Sequence, residues 1–375
     1  MRLDEVKPYF GKRVVVTTRP QAERGEMHYE GVLEKVDNDP QHVYLQPIVS
    51  GAETTPYRLH GAGARTHAIP LSEIRAVQSP ACVAGTIAVG DLDVHRMGYG
   101  AMRLTGPGIW GWPTDRENAL RILRRAVELG VNFIDTADSY GPHVAEEEIA
   151  MALYPYPSDL VIATKGGLTR PGPGEWERDC RPERLKACCE GSLRRLKLAC
   201  IDVYQLHAVD LKVPFEDQVG ALRDLRDEGK IRHAGLSNVS LEQLRKAQEI
   251  VPIVSVQNRF NMMHRGGEEE RVIDYCDQHK IAFIPWFPLG AGDEEISNHT
   301  EAQIVAKAHG VRVPQIALAW LLHRSPMMLP IPGTASMKHL EENIAAANIA
   351  LNPDDLTRLG LRRSRSAHHG EHDER

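Results

Sequence analysis

The chain has 375 residues, of which 42% are hydrophobic and 26% are charged, as in an ordinary soluble globular protein. Its net charge of −6 gives no reason to expect nucleic acid or an anionic membrane as the main partner. No apolar run approaches the roughly 20 residues that a membrane helix needs, and the charged first residues lack the apolar core of a signal peptide. We therefore expect a cytoplasmic protein whose six cysteines are reduced thiols rather than a disulfide or zinc framework, with no metal site.

The first 80 residues differ in pattern from the rest of the chain. Short β-branched runs alternate there with Gly, Asp and Pro turns, which predicts strands with almost no helix. These strands are expected at residues 12–18, 29–36, 42–48 and 66–71, with a short turn and strand at 72–77. They predict a small all-β domain over residues 1–80, SH3-like or Sm-like, of a kind that often binds RNA or peptide. Because basic residues are mixed with acidic ones and form no stripe, we favour a protein partner or self-association through this domain.

Beyond this region, a hairpin with a Gly-Asp turn at residues 86–94 precedes a long alternation of strands and helices. The strand candidates are 96–102, 132–137, 160–165, 203–207, 233–238, 254–258, 283–286 and 328–333. Helices with spaced apolar residues are predicted at 116–129, 145–153, 182–196, 215–228, 241–250, 268–279 and as a pair within 301–323. Eight strands separated by helices predict a (β/α)8 TIM barrel, an α/β fold, over residues 81–363, and the charged residues 364–375 predict a disordered tail.

Three of the predicted strands end in ionisable residues. Asp135 and Tyr140 close the second barrel strand and its loop, Lys165 ends the third strand, and His207 ends the fourth. A parallel barrel places its chemistry at the carboxyl ends of its strands, so we expect these four side chains to meet. A free tyrosine has a pKa of about 10, and a neighbouring ammonium group lowers that value. The four residues therefore predict a tyrosine that donates a proton, with Asp135 holding the lysine beside it.

The chain resembles the aldo-keto reductase superfamily from about residue 85 to residue 362. The runs that carry this resemblance, each at the end of a strand, are GVNFIDTADSY at 130–140, ATK at 163–165, YQLH at 204–207, GLSN at 235–238 and IPGT at 331–334. The resemblance implies an NAD(P)H-dependent oxidoreductase that reduces an aldehyde or ketone to an alcohol, with the four residues named above as its catalytic group. The alternative is a non-catalytic NADP(H)-binding or regulatory subunit that acts through the N-terminal domain.

The resemblance also implies where a nicotinamide cofactor binds without a Rossmann fold. Ser237, Asn238 and Gln257 would hold the carboxamide, which both donates and accepts hydrogen bonds, and Trp286 would stack on the ring. The phosphates and the adenosine would contact two loops and a helix start, at Phe287, Pro288, Leu289, Gly290, Gly333, Thr334, Ser336, Lys338, His339, Glu342 and Asn343. Many relatives have lysine and arginine where Gly333 and His339 stand. We expect NADPH rather than NADH because the family prefers it, not because the charges require it.

The segments 97–113 and 139–143 resemble those of bacterial pyridoxal reductases within the superfamily. That resemblance implies the reduction of pyridoxal to pyridoxine. Candidate substrate contacts are Met102, Trp110, Trp112 and Trp176, because aromatic walls suit a flat pyridine aldehyde. The same walls suit many other apolar carbonyl compounds, so the sequence leaves the small-molecule carbonyl substrate open.

Overall fold

The computed structural model of the protein describes residues 13–18, 28–34, 42–47, 67–70, 74–78, 80–290 and 296–361. The predicted tail at residues 364–375 lies outside them. The first five ranges are the strands β1 (Arg13–Thr18), β2 (His28–Glu34), β3 (His42–Pro47), β4 (His67–Pro70) and β5 (Ile74–Gln78). They pair antiparallel in the order β4-β3-β2-β1-β5, and alternate residues of β1, Val14 and Val16, are buried. The closed SH3-like or Sm-like domain stays a prediction.

A curled sheet of seven parallel strands forms the centre of the rest of the chain. It follows a 3-10 helix (Pro80–Ala84) and a hairpin of β6 (Thr86–Val89) and β7 (Leu92–His95). In chain order the next strands are β8 (Tyr99–Gly100), β9 (Phe133–Asp135), β10 (Val161–Gly166), a small hairpin of β11 (Leu168–Thr169) and β12 (Glu177–Arg178), β13 (Ile201–Leu206), β14 (Ile231–Ser237), β15 (Ile253–Gln257) and β16 (Ala282–Phe283). Apart from the small hairpin, neighbours in this order are neighbours in the sheet.

The extended segment 327–331 joins the two edges of the sheet, so the fold is barrel-like. At one edge the backbone N–H of Phe283 donates to the carbonyl of Met327 at 2.9 Å, and at the other edge that of Gly98 donates to the carbonyl of Pro330 at 2.9 Å. The eighth predicted strand is therefore present as a pairing segment rather than as a regular strand. One reason is that Pro330 has no N–H to contribute to a ladder of hydrogen bonds.

Helices connect the strands, and signals in the sequence set their ends. They are α1 (Arg116–Glu128), α2 (Val144–Leu153), α3 (Pro182–Leu196), α4 (Phe215–Asp227), α5 (Leu241–Gln248), α6 (Gly267–His279), α7 (Thr300–His309), α8 (Val313–Arg324), α9 (Met337–Ala345) and α10 (Pro353–Arg358), with 3-10 turns at Ala101–Leu104 and Ala346–Asn348. Asp115 caps α1 by accepting the N–H of Asn118 at 2.9 Å, and Gly130 follows this helix with a φ of 89°.

Alternation along the strands separates the inside of the barrel from its outside. Side chains at positions i, i+2 and i+4 of a strand point to the same side. In β10, Val161 and Ala163 belong to the inner apolar cluster and share their side with Lys165, whereas Ile162 packs outward in the cluster under the helices. In β13 the inward-facing positions are Val203, which is in the inner apolar cluster, and Gln205, and the next position on that side is His207. Inner positions thus change from apolar to ionisable toward the carboxyl ends of the strands, where the chemistry collects.

The hairpin β6–β7 covers the opposite end of the barrel. Val89 and Val94 are fully buried and pack against the inward-facing apolar residues of the strands. At the turn, the carboxylate of Asp91 lies 2.6 Å from Arg232 and 2.6 Å from His233, both on β14. Hydrogen bonds from these partners lower the pKa of Asp91 to about 2. These apolar and ionic contacts hold the hairpin against the amino-terminal ends of the strands.

Among the residues that the structure describes, no helix is long and apolar enough to cross a membrane. The same residues contain no group of three His, Cys, Asp or Glu side chains that could hold a metal ion. All six cysteines lie within the described ranges, and none of them forms a disulfide.

Candidate active site

The four residues predicted as a catalytic group lie together at the carboxyl end of the barrel. Lys165 Nζ donates to Asp135 Oδ2 at 2.7 Å and to the carbonyl oxygen of Thr136 at 2.8 Å. It lies 3.5 Å from Tyr140 Oη, at the long limit of a hydrogen bond. The rings of Tyr140 and His207 meet edge to face with their centroids 5.8 Å apart. All four predicted side chains are buried, and they form one connected group.

The loop after β9 sets the position of Tyr140. The backbone N–H of Asp138 donates to the carbonyl of Lys165 at 3.2 Å, so the loop folds back over the end of β10. Gly141 follows with a φ of 100°, and a Cβ on it would lie 2.4 Å from the Cβ of Val144. Only glycine fits there, and the turn allows α2 to begin at once. The phenol of Tyr140 is thereby held over the lysine.

Burial dominates the electrostatics of this group. Burial, followed by the charges of Asp135 and Asp138, raises the pKa of Tyr140 well above its ordinary value of 10.0. The expected net lowering of this pKa by Lys165 does not occur, because burial and the two carboxylates outweigh the neighbouring ammonium group. Burial also lowers the pKa of Lys165, and burial with the lysine charge lowers that of His207 well below 6.5. At neutral pH Tyr140 therefore keeps its proton and His207 is a neutral imidazole.

A cavity of about 640 Å³ opens beside this group, a size within the range of small-molecule binding sites. Asp135, Tyr140 and His207 line it, whereas Lys165 lies fully buried behind them. Eleven of the predicted cofactor residues also line the cavity: Ser237, Asn238, Gln257, Trp286, Phe287, Pro288, Leu289, Gly290, Gly333, Thr334 and His339. The structure thus brings most of the two predicted sets to one continuous cavity.

Hydrogen bonds connect the polar wall of the cavity to the buried acid. Gln257 Nε2 donates to Asp135 Oδ1 at 2.8 Å, and Ser237 Oγ donates to the carbonyl of Gln257 at 2.8 Å. Asn238 Nδ2 donates to Ser237 Oγ at 3.0 Å, while Asn238 Oδ1 accepts the indole N–H of Trp286 at 3.0 Å. Asn238 has a φ of 59°, a left-handed conformation that asparagine tolerates better than most residues. The amide groups and the indole ring are therefore fixed relative to one another.

The loop that leads into α9 forms another part of the cavity wall. Tyr99 Oη donates to the carbonyl of Thr334 at 2.7 Å, and Asn118 Nδ2 donates to the carbonyl of Ala335 at 2.7 Å. Two of the loop's carbonyl groups are therefore bound by side chains from β8 and α1. This fixes the loop directly before the amino end of α9, where the helix dipole favours an anion.

Steric crowding explains why position 333 is a glycine. A Cβ on Gly333 would lie 2.5 Å from the carbonyl oxygen of Gly100, so a larger residue requires the backbone to shift. The side chain of Arg103 passes 3.6 Å from that Cβ position and lines the cavity, as does His339. Arg103 and His339 therefore lie near the loop, although the lysine that many relatives have at this position is missing. The residues present fit the phosphate groups of a nicotinamide dinucleotide.

Four other predicted cofactor residues lie on or next to α9 but outside the cavity wall. Ser336 caps the helix, its hydroxyl accepting a backbone N–H at 3.3 Å. Glu342 pairs with Arg312 at 2.7 Å, the Lys338 side chain is 69% exposed, and Asn343 is buried. Their contacts with a cofactor stay predictions.

Two of the four predicted substrate contacts, Met102 and Trp176, line the cavity. Trp110 and Trp112 are not among the residues that line this cavity, and their contacts with a substrate stay predictions. The guanidinium of Arg116 lies 3.7 Å from the ring centroid of Trp112. The guanidinium of Arg170 lies 5.7 Å from the ring centroid of Trp110. Cation–π contacts of this kind stabilise a loop aromatic without exposing it to a ligand.

Trp176 lies beside Tyr140 and His207 of the predicted catalytic group. Its ring meets that of Tyr140 edge to face, with centroids 6.4 Å apart, and it meets that of His207 at 6.4 Å. Seven more residues line the cavity and were not predicted as site residues: Gly100, Arg103, Ile109, Leu168, Ile331, Pro332 and Ala335. Most of them follow the carboxyl end of a barrel strand, and this position was the signal that could have identified them.

Comparison with known proteins agrees with this geometry. The sequence profile of the Aldo/keto reductase family matches residues 96–360, more than half of the chain. An uncharacterised oxidoreductase of Schizosaccharomyces pombe is 49% identical over 276 residues, which cover 74% of this chain and 89% of that protein. Pyridoxine 4-dehydrogenase of Escherichia coli is 42% identical over 280 residues, which cover 73% of this chain and 96% of that protein.

A solved structure is also similar. The crystal structure of an aldo/keto reductase from Klebsiella pneumoniae in complex with NADP and acetate aligns with a TM-score of 0.60 at 28% identity. The alignment covers 71% of this chain and 90% of that chain. With the family profile and the two relatives, it shows that this chain is an oxidoreductase that belongs to the aldo/keto reductase family.

Proposed function

We propose that the protein reduces an aldehyde or ketone to an alcohol with NADPH, and that Tyr140 donates the proton. The observation that carries this proposal is the position of Tyr140, which lines the cavity while its hydroxyl lies 3.5 Å from Lys165 Nζ. A phenol with a cavity on one side and an ammonium group on the other is suited to general acid catalysis.

Each residue of the group has a distinct role in this proposal. Tyr140 keeps its proton at neutral pH and gives it to the carbonyl oxygen as that oxygen gains electron density. Lys165 stabilises the negative charge that remains on the phenol oxygen, and Asp135 holds the lysine in place at 2.7 Å. His207, as a neutral imidazole, can form a hydrogen bond to the same carbonyl oxygen. The bound nicotinamide supplies the hydride.

NADPH is the cofactor that the cavity fits best. The hydrogen-bonded amides of Asn238 and Gln257 suit the carboxamide, and Trp286 offers a flat face to the ring. Arg103 and His339 line the region before α9, where they can contact phosphate. The similar structure from Klebsiella pneumoniae contains NADP, which supports the same choice here.

A flat, mostly apolar carbonyl compound is the substrate that we propose, and pyridoxal is our specific candidate. Met102, Ile109, Leu168 and Trp176 line the cavity with aromatic and aliphatic surfaces that carry no charge, and Trp176 contacts Tyr140. The 42% identical relative from Escherichia coli is named a pyridoxine 4-dehydrogenase, and this name supports the choice of a pyridine substrate.

A substrate screen tests the proposal. Purified protein is mixed with NADPH or NADH and with pyridoxal, pyridoxal 5′-phosphate, benzaldehydes and short aliphatic aldehydes, and the loss of cofactor absorbance is followed. We expect turnover with NADPH and a higher kcat/KM for pyridoxal and benzaldehydes than for aliphatic aldehydes. NADPH binding without turnover of any carbonyl compound would instead favour the non-catalytic subunit.

We also propose that residues 1–80 form a separate unit that binds a protein partner or a second copy of the chain. Two observations support this: the described strands in this range pair antiparallel, unlike the parallel barrel, and the family profile begins at residue 96. We also propose that the enzyme is cytoplasmic, since cysteines without disulfides are usual in that compartment.

A further inference from the structure

Arg170 lies between the loops that form the substrate end of the cavity. It follows β11, and only 9% of it is exposed. Its Nε donates to the carbonyl of Glu175 at 2.7 Å, and its Nη2 donates to the carbonyl of Gly108 at 2.8 Å. Its Nη1 donates to the carbonyls of Ile109 at 2.8 Å and Ser139 at 3.1 Å. All four acceptors are neutral backbone groups.

These four bonds join three separate segments of the chain. Gly108 and Ile109 belong to the loop after β8, Ser139 directly precedes Tyr140, and Glu175 belongs to the hairpin loop between β11 and β12. A guanidinium presents five N–H donors in one rigid plane, and no other side chain can bind carbonyls in three directions in this way. Arg170 therefore fixes the loops relative to the catalytic tyrosine.

The flat face of the same guanidinium contacts an aromatic wall of the cavity. Arg170 Cζ lies 3.8 Å from the ring centroid of Trp176. The Trp176 ring in turn contacts the rings of Tyr140 and His207 edge to face. Because 37% of Trp176 remains exposed, packing alone holds it weakly, and the stacked cation is its closest described ring partner.

We propose that Arg170 is a positioning residue that determines substrate specificity. It holds Trp176 edge-on to Tyr140 and His207, so that the substrate end of the cavity keeps one flat aromatic wall at a fixed distance from the proton donor. The enzyme thereby favours flat aromatic carbonyl compounds over flexible aliphatic ones. This inference rests on the proposed reductase function.

The test compares Arg170→Met and Arg170→Lys with the wild type, using benzaldehyde as the aromatic substrate and butanal as the aliphatic one. For Arg170→Met we expect the aromatic-to-aliphatic ratio of kcat/KM to fall about tenfold, mainly through the KM for benzaldehyde. Arg170→Lys keeps the charge but lacks the planar fork, so its ratio falls in the same direction. The dissociation constant for NADPH, followed by tryptophan fluorescence, stays unchanged.

A double-mutant cycle separates positioning from a merely structural role. Trp176→Ala alone lowers the same ratio, and adding Arg170→Met to it lowers the ratio no further, because both changes remove one wall. Arg178→Met is the matched control, since Arg178 is exposed on the same hairpin; we expect it to keep the wild-type ratio.

Several results would overturn the inference. These are a wild-type substrate ratio in Arg170→Met, additive effects in the cycle, or an equal loss of activity toward both aldehydes. If Arg170→Met does not fold, the ratio in Arg170→Lys decides in the same way. Absence of turnover in the wild type would refute the proposed function itself, whereas an active wild type with an unchanged ratio in the variants refutes the role of Arg170 alone.

Discussion

Asp138 is a second buried acid close to the proton donor. It is 2% exposed, and its Oδ1 has no hydrogen-bond partner among the residues that the structure describes. Burial, and then the charge of Glu146, raises the pKa of Asp138 to about 7. Once ionised, Asp138 raises the pKa of both Tyr140 and Lys165. The protonation of one aspartate thus modulates the acidity of the phenol near neutral pH.

From this we predict a pH dependence of the reduction rate. As pH rises through about 7, Asp138 loses its proton, Tyr140 becomes a weaker acid, and kcat for reduction falls. The variant Asp138→Asn cannot ionise at this position, so we expect no such inflection. The check is kcat with saturating NADPH from pH 5.5 to 9, about two pH units on either side of the Asp138 pKa. Other groups near Asp138, namely Glu146, Cys188, Arg184 and Arg195, remain in the variant. An unchanged inflection in Asp138→Asn would show that Asp138 is not the group that titrates.

The buried ion pair of Lys165 and Asp135 yields a prediction that separates stability from catalysis. Lys165→Met leaves Asp135 uncompensated at 2% exposure, so we expect it to lose about 3–5 kcal/mol of unfolding free energy. Adding Asp135→Asn removes that charge and recovers most of the stability. Turnover, in contrast, stays lower by about 10²-fold or more in both variants, because the charge beside Tyr140 is gone. Denaturant unfolding and kcat are measured together, and recovery of both by the second substitution would refute the role of the lysine.

At the level of single residues, strand position made it predictable that Asp135, Tyr140, Lys165 and His207 lie together, because each is at or shortly after the carboxyl end of a strand. Trp112 contacts Arg116, which is close to it in the sequence, whereas Trp110 contacts Arg170, which is far from it in the sequence and could not be predicted as its partner. The position of Arg170 between the loops was not predictable from the sequence either. Its four acceptors lie in three segments, and no spacing in the sequence links them.

Two helix caps allow a matched comparison at the level of elements. Ser336 caps α9 next to the cavity loop, and Ser240 caps α5, with its own N–H donating in return to the side chain of Gln243. Loss of either hydroxyl should cost about 1 kcal/mol of stability. Only Ser336→Ala should also weaken NADPH binding, by a few-fold, because it loosens the loop that meets the phosphates. Thermal unfolding and fluorescence titration of both variants are the measurements, and equal NADPH affinities in the two would contradict the placement of the phosphate site.

The elements themselves followed from periodicity, and their deviations have local causes. The first barrel strand was predicted at residues 96–102, but β8 is only Tyr99–Gly100, because the chain turns into a 3-10 helix at Ala101. Gly100 marks that point, since a Cβ there would lie 2.7 Å from the carbonyl oxygen of Ile331. Periodicity identifies which residues face inward but not where a neighbouring backbone comes too close for the strand to continue.

For the whole molecule, we predict that deletion of residues 1–79 leaves a folded reductase. The cut falls before the 3-10 helix Pro80–Ala84, in which the N–H of Ala81 donates to the carbonyl of Leu129 at 2.9 Å. We expect kcat and KM to stay within about twofold of the full chain, since no residue that lines the cavity is removed.

The control for this deletion removes residues 1–95 and therefore also the hairpin β6–β7. That hairpin covers the apolar end of the barrel through Val89 and Val94, so its loss should expose the inner apolar cluster and cause aggregation. Gel filtration and circular dichroism of both truncated chains check this. An insoluble 80–375 chain would show that the N-terminal strands belong to the catalytic unit.

The central claim is that the phenol of Tyr140 gives its proton to the carbonyl oxygen. Its most direct test is the single-turnover rate of NADPH oxidation by benzaldehyde in Tyr140→Phe. The control is Tyr204→Phe, which also removes a buried hydroxyl. That hydroxyl donates to the carbonyl of Leu185 at 3.1 Å. We predict a fall of about 10³-fold in Tyr140→Phe with NADPH affinity unchanged, and a near wild-type rate in the control. A Tyr140→Phe rate within about twofold of the wild type would contradict the account.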